Sequence, residues 1–276
     1  MAYTVKAGVF SLPEKMTGVE AIRYASSIGA GAFEPLAALD LPEPGAAECA
    51  AMRAEAEKLG IALPCLSVGI SLTGNRADEA VMRLKGCADA AGAMGMKYLH
   101  HTVCLTISPE EASAPFEAVL EEALPRVREV YDYAAERGIE CIYEDQGFYF
   151  NGQANLSAFL DALGRPAGIV LDMGNIAFVG EKPADLVRRF AGRIVHVHMK
   201  DYKIRPYEEG KRGYRIGRDM LVPALPGDGD LAVAEAVRAL KDAGFDGWYM
   251  TEHEALGDGY AENADCLRRT YEMLKA

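Results

Sequence analysis

Residues 189–202 read RFAGRIVHVHMKDY, and the order of events in them decides the fold: a helical stretch ends, a glycine follows, a β-branched run begins and charge closes it. The same order recurs at 25–34 (ASSIGAGAFE), 56–67 (AEKLGIALPCLS), 91–101 (AGAMGMKYLHH), 134–144 (AAERGIECIYE), 161–172 (DALGRPAGIVLD) and 241–252 (KDAGFDGWYMTE). The glycines stand where a helix end favours a residue tolerant of positive φ. With the leading run TVKAGVF (4–10), eight strand candidates alternate with helical stretches such as 44–59 and 263–276. Such alternation implies parallel βα units, and eight of them in about 250 residues is the size of a closed barrel. The expectation is an α/β protein, one (β/α)8 TIM barrel over residues 1–276. A doubly wound open sheet shares the alternation, but the first βα turn (GVFSLPEKMTG) carries no Gly-x-Gly-x-x-Gly cradle, and no GxxxxGK[ST] occurs. The longest stretch expected to be irregular is 201–230, between the seventh strand and its helix.

Half the residues are hydrophobic and the formal net charge is −12, which opposes non-specific attraction to phosphate backbones. No nucleic-acid partner is expected, and no membrane partner, since no apolar run approaches the roughly 20 residues a span needs. The opening residues lack the apolar core of a secretory signal, so the expected location is the cytoplasm. The six cysteines (49, 65, 87, 104, 141, 266) stand singly and read as reduced core residues.

Within the opening stretch, strand alternation places Ile194, His196, His198 and Lys200 on one face, and Val195, Val197 and Met199 on the other, against helices. The polar face belongs to a wider pattern. Barrel active sites are built at the C-terminal ends of strands, and these strands end in Glu34, His100 and His101, Glu144, Asp172, His198 and Glu252. Two residues before Glu144, Asp172 and Glu252 stand Ile142, Val170 and Met250, so each charge continues an apolar face. Carboxylates forced together repel one another and resist desolvation unless a cation neutralises them. Glu144, Asp172, His198 and Glu252, three carboxylates and one imidazole, suit one divalent ion: Mn²⁺ first, with Mg²⁺, Co²⁺ and Zn²⁺ as alternatives. The competing interpretation has each acid separately capping a helix or pairing with an arginine.

On these residues the sequence resembles the xylose isomerase-like barrels, which include sugar-phosphate isomerases and epimerases, ketose 3-epimerases, inosose dehydratases and apurinic-site endonucleases. The resemblance runs nearly end to end and is most specific in the second half, where YED, LDMGN, VHVHMKDY and GDGDL…GFDGWYMTEHE follow the family's order of Glu, Asp-x-Gly-[His/Asn], His-x-Lys-Asp and closing Glu. It implies Glu144, Asp172, His198 and Glu252 as metal ligands, with Glu144 and Glu252 also the catalytic acid–base pair. The implied chemistry is proton abstraction next to a carbonyl through a metal-stabilised enediolate, in a sugar isomerase or epimerase. A leaving group β to the carbanion turns the same site to elimination, as in an inosose dehydratase or a 3-oxo-glycoside-cleaving enzyme. A barrel that binds a sugar or partner without catalysis is the third alternative.

The chain departs from the ketose 3-epimerases where Phe150 replaces a second glutamate, Asn175 a histidine and Ile204 an arginine, with Arg205 adjacent. The endonucleases need further histidines, one of them where Asn175 stands. Glu34, His101, Asn175, Lys200 and Arg205 are the expected substrate-binding residues, and His196, a layer below His198, is expected in the core or supporting the ligand. The basic residues between 202 and 218 suit an anionic substrate group, a neighbouring subunit or solvent. The expected partners are a small carbohydrate or polyol and further copies of the chain, as a dimer or tetramer.

Overall fold

The structure, a computed structural model, describes residues 5–10, 12, 16–37, 45–254 and 257–276. Strands and helices alternate along them: β1 (Ala7–Val9), α1 (Gly18–Ser27), β2 (Ala32–Phe33), α2 (Ala46–Leu59), β3 (Cys65–Val68), α3 (Ala77–Met94), β4 (Tyr98–His101), α4 (Phe116–Ala135), β5 (Glu140–Glu144), α5 (Gly152–Leu163), β6 (Gly168–Asp172), α6 (Pro183–Phe190) and β7 (Ile194–Met199). After β7 come β8 (Asp201–Pro206), β9 (Tyr214–Ile216) and β10 (Asp219–Ala224), then α7 (Val233–Asp242), β11 (Tyr249–Thr251) and α8 (Gly259–Lys275). Local chemistry fixes the helix ends. Thr17 and Glu20 form a reciprocal capping box at the start of α1, while Gly60 and Gly95 end α2 and α3 with φ of 67° and 75°.

Eight strands form one parallel sheet in the order β2-β1-β11-β7-β6-β5-β4-β3. Its two ends meet through parallel bridges Ala32↔Ala62 and Leu36↔Ser67, with Phe33 N donating to Ala62 O and Ser67 N to Pro35 O, both at 2.9 Å. The expected (β/α)8 barrel is therefore closed. Its interior is filled by inward-facing residues, with Cys65, Ile142, Val170, Tyr98 and Val195 on one side and Ala32, Met250, Trp248 and, past the end of β1, Phe10 on the other. Gly8 is inward too, and a Cβ there would lie 2.6 Å from Ala32 O and 2.7 Å from Met250 Cε. The larger core lies between the sheet and the helices and holds the alternate positions, such as Tyr143, Leu171, Val197 and Met199. Among the described residues no helix is long and apolar enough to cross a membrane. All six cysteines are buried and unbridged.

Two sequence expectations change. Ile194 faces the helices and Val195 the barrel floor, the reverse of uniform alternation, because the β6–β7 register jumps from Ile169↔Ile194 to Val170↔His196. This bulge restores phase, so His196 and His198 still face inward. Most of the stretch expected to be irregular is a three-stranded antiparallel sheet, β8-β10-β9, standing on the end of β7. Asp201 holds the following turn. Its Oδ2 accepts from Gly227 N (2.9 Å) and Gly229 N (3.1 Å), and its Oδ1 from Tyr202 N (2.9 Å) and Leu231 N (3.4 Å).

Candidate metal centre

Register carries the charged ends to one place. Asp172 and Met250 both pair with His198 across the ladders, which sets Glu252 just beyond Met250 on the same face, and Glu144 pairs with Val170. One ligand atom from each of Glu144, Asp172, His198 and Glu252 lies within 4.8 Å of the others. His198 Nδ1 is the hub, 2.7 Å from Glu144 Oε1, 3.3 Å from Glu252 Oε2 and 4.0 Å from Asp172 Oδ2. Phe10 stacks on the His198 ring at 4.6 Å and fixes its plane.

Below the hub lies a polar floor. Glu34, fully buried, receives Ser67 Oγ–H at Oε1 (2.5 Å), while His196 Nε2 lies 2.6 Å from Oε2 and His198 Nε2 lies 3.2 Å from Oε1. Burial pushes Glu34 upward, but His196 and His198 hold it well below the usual carboxylate range. An ionised Glu34 takes the Nε2–H of His198, which aims the Nδ1 lone pair at three carboxylates. Lone pairs facing lone pairs call for a cation at their centre. In the protein alone that cation is a proton: burial favours neutral imidazole, yet Glu34 and Glu144 raise His198 well above its ordinary value.

Lys200 supplies a second positive charge, with Nζ 3.1 Å from Asp172 Oδ2 and 2.5 Å from Glu252 Oε1. Despite burial, these two carboxylates raise its ammonium well above the usual range. The three ligand carboxylates and Lys200 carry two net negative charges around a neutral His198, which one divalent cation balances, and the ionised Glu34 below adds to the attraction. The donor set therefore fits the expected metal. Burial pushes the Asp172 carboxyl up to about 6, opposed by Lys200, whereas Lys200 and His198 hold Glu252 below its ordinary value despite burial.

The Asp-x-Gly-Asn motif serves this arrangement. Asp172 Oδ1 accepts from the backbone N–H of Gly174 (2.7 Å) and Asn175 (2.8 Å), opening a 3-10 turn over Asn175–Val179 and leaving Oδ2 for the cluster. Gly174 makes room for the lysine stem, since a Cβ there would lie 2.6 Å from Lys200 Cγ. Asn175 links both sides, donating from Nδ2 to Glu144 Oε2 and accepting Lys200 Nζ at Oδ1, both at 3.2 Å. Asp145, beside Glu144, instead accepts Asp172 N–H at Oδ1 (2.8 Å), and burial, with Asp172 and Glu144 nearby, pushes its carboxyl well above the usual range.

The structure thus brings together Glu144, Asp172, His198, Glu252, Asn175 and Lys200. It does not bring His101 or Arg205 to them. His101 packs edge-on against Tyr143, at 5.1 Å between ring centroids, in the layer under the helices, because the β3–β4 register pairs Ser67 with His100 and turns His100 inward. Arg205 lies on β8 and binds Asp230 (2.8 Å) and its neighbour's carbonyl, Ile204 O. Glu34, expected to hold a substrate hydroxyl, has both oxygens engaged by Ser67, His196 and His198. Phe150 packs edge-on against Phe116 and Phe159, away from the carboxylates. Sequence reasoning missed Phe10 and Ser67, and it chose His101 over its neighbour His100. The available signal was parity, since Cys65/Ser67 and Tyr98/His100 are matched inward steps on adjacent strands.

The pattern of the family described as "Xylose isomerase-like TIM barrel" matches residues 22–270. The inosose dehydratase of Geobacillus thermodenitrificans (strain NG80-2) is 27% identical over 128 residues, 45% of this chain and 43% of that protein. The match thus spans less than half the length of that curated relative. The crystal structure of the IOLI protein with a binding zinc atom superposes with a TM-score of 0.77 at 16% identity, over 98% of each chain. The D-psicose 3-epimerase of Clostridium cellulolyticum H10, solved with D-tagatose, gives a TM-score of 0.77 at 15% identity, over 98% of this chain and 99% of that one. At such identities the structural likeness carries the fold.

Proposed function

Because the chain belongs to the xylose isomerase-like TIM-barrel family, we propose that it is a divalent-metal-dependent enzyme that removes a proton next to a carbonyl of a sugar or cyclic polyol ketone. One observation carries this reading: Glu144, at the end of β5, and Glu252, just past β11, bring carboxylate oxygens to 2.7 and 3.3 Å of His198 Nδ1, with Asp172 Oδ2 beside them. Glu144, Asp172, His198 and Glu252 would hold the ion, with Mn²⁺ proposed first and Mg²⁺, Co²⁺ or Zn²⁺ suited to the same donors. When bound, it supplies Lewis-acid polarisation of the carbonyl and so favours the enediolate.

The side chains supply the rest. Glu144 and Glu252 take a proton from carbon and return one. Asn175 keeps Glu144 oriented through Oε2, and Lys200, between Asp172 and Glu252, places fixed positive charge where a substrate oxygen gains negative charge. Returning the proton to the neighbouring carbon, or to the other face, gives an isomerase or epimerase. Expulsion of a β-leaving group gives a dehydratase or lyase, and the inosose dehydratase relatives favour this second reading equally. The proposed partners are a small carbohydrate or polyol and, in a dimer or tetramer, further copies of the chain. The cytoplasm is the proposed compartment.

The test is NMR in D₂O of Mg²⁺-loaded protein with a panel of ketoses, inososes and 3-oxo-glycosides. Deuterium entering next to a carbonyl without loss of a group gives the isomerase, and release of water or an aglycone gives the lyase. Glu144→Gln and Glu252→Gln are each expected to slow exchange about 10²–10⁴-fold. No exchange with any compound, by protein shown to hold the ion, would refute the enzymatic reading and leave a binding barrel.

A further inference from the structure

Building on that reading, we propose that His100 recognises the substrate by accepting a hydrogen bond from one of its hydroxyl groups, through an Nε2 lone pair that Ser67 and Glu34 fix in place. Ser67 Oγ lies 2.5 Å from Glu34 Oε1 and 2.9 Å from His100 Nδ1, and it has one hydrogen to donate. Glu34 also faces the Nε2 atoms of His196 and His198, so it is the acceptor for three neighbours. The hydroxyl hydrogen of Ser67 therefore goes to Glu34, and the Ser67 oxygen accepts from His100. That makes His100 the Nδ1–H tautomer, with Nε2 bare.

Nε2 is buried, takes no hydrogen bond, and lies 3.9 Å from Glu144 Oε2 with the ring 5.6 Å from that of His198. An acceptor without a donor thus faces Glu144, the carboxylate proposed to move the proton, and a buried acceptor calls for a donor. A substrate hydroxyl next to the reacting carbon supplies one, whereas a deoxy or O-methyl group there does not. His100 thereby selects for a free hydroxyl at that position, and Ser67 and Glu34 are positioning residues acting through it.

Two-bond ¹H–¹⁵N correlation of ¹⁵N-histidine-labelled, Mg²⁺-loaded protein reads the tautomer directly, and the five histidines make a short spectrum. His100→Gln assigns the signal, and unchanged signals from the other four report that the variant folds. Wild type is expected to show His100 as Nδ1–H, and Ser67→Ala to shift it toward Nε2–H. Titration with myo-inositol, a cyclic polyol with no carbonyl to react, is expected to move the His100 Nε2 resonance upfield. His100→Phe is expected to weaken that binding about tenfold, the worth of one hydrogen bond. An Nε2–H tautomer in wild type, or an Nε2 resonance that myo-inositol leaves in place, overturns the proposal. Neither readout needs turnover, so a protein that exchanges no C–H proton fails the proposed function without deciding this one.

Discussion

Glu34→Gln keeps the shape of the barrel floor and removes the charge on which His196 and His198 lean. Without the charge, His198 loses the partner that orients Nδ1, and affinity for Mn²⁺ is expected to fall about 10–100-fold, measured by chelator competition with circular dichroism as the folding control. Protons compete for the same place. Burial pushes Asp172 up to about 6, and His198, against burial, is raised well above an ordinary imidazole by Glu34 and Glu144. Both groups are stabilised in their protonated forms in the metal-free fold, and both must give up protons to bind an ion. Affinity should therefore fall as pH drops through about 6 and rise above it, with proton release; calorimetry in two buffers of different ionisation enthalpy would register that release. At this scale the sequence is legible where strand parity applies, as at Glu144, Asp172 and Glu252. It misleads at His100 and His101, where the pair of imidazoles at a strand end gives no phase of its own and the β3–β4 register decides.

Among the elements, the three-stranded sheet after β7 was the least legible. Gly210, Gly213 and Gly217 interrupt the alternation that a strand needs to be recognised, and the pairing that makes β8 and β10 strands joins residues 13 apart at one end and 23 apart at the other. Its anchoring is clear in structure. Tyr202 and Tyr214 donate their hydroxyls to Glu254 (3.2 and 2.7 Å), just past Glu252, and Asp201 collects the backbone N–H groups of Gly227, Gly229 and Leu231. Asp201→Ala leaves those donors unmet and is expected to cost about 1–3 kcal/mol in denaturant unfolding, with faster amide exchange at Gly227 and Gly229. An unchanged midpoint would show that this turn is held by other contacts. The bulge at Val195 was illegible for a related reason, since a uniform period of two has no place for an extra residue.

For the whole molecule, count and order of βα units were readable because each strand is short, apolar and followed by a helix with its own start and stop signals, as in α1. An ion that binds the folded centre and not the unfolded chain must stabilise the fold, by about 2.7 kcal/mol at a hundredfold excess over its dissociation constant. Adding Mn²⁺ to chelator-treated protein is expected to raise the melting temperature, and Asp172→Asn to abolish the rise. The closure of the sheet adds a further consequence. β2 has two strand residues and meets β3 through isolated bridges, so the cylinder has a seam, and Ser67 and Glu34 stand on opposite sides of it. Their hydrogen bond is a clasp across that seam, and Glu34 is also the support of His198. Filling the centre should therefore tighten the seam: amides at Phe33, Ala37, Ala62 and Ser67 are expected to exchange more slowly with the ion bound, so that the wall of the barrel reports on the occupancy of its mouth.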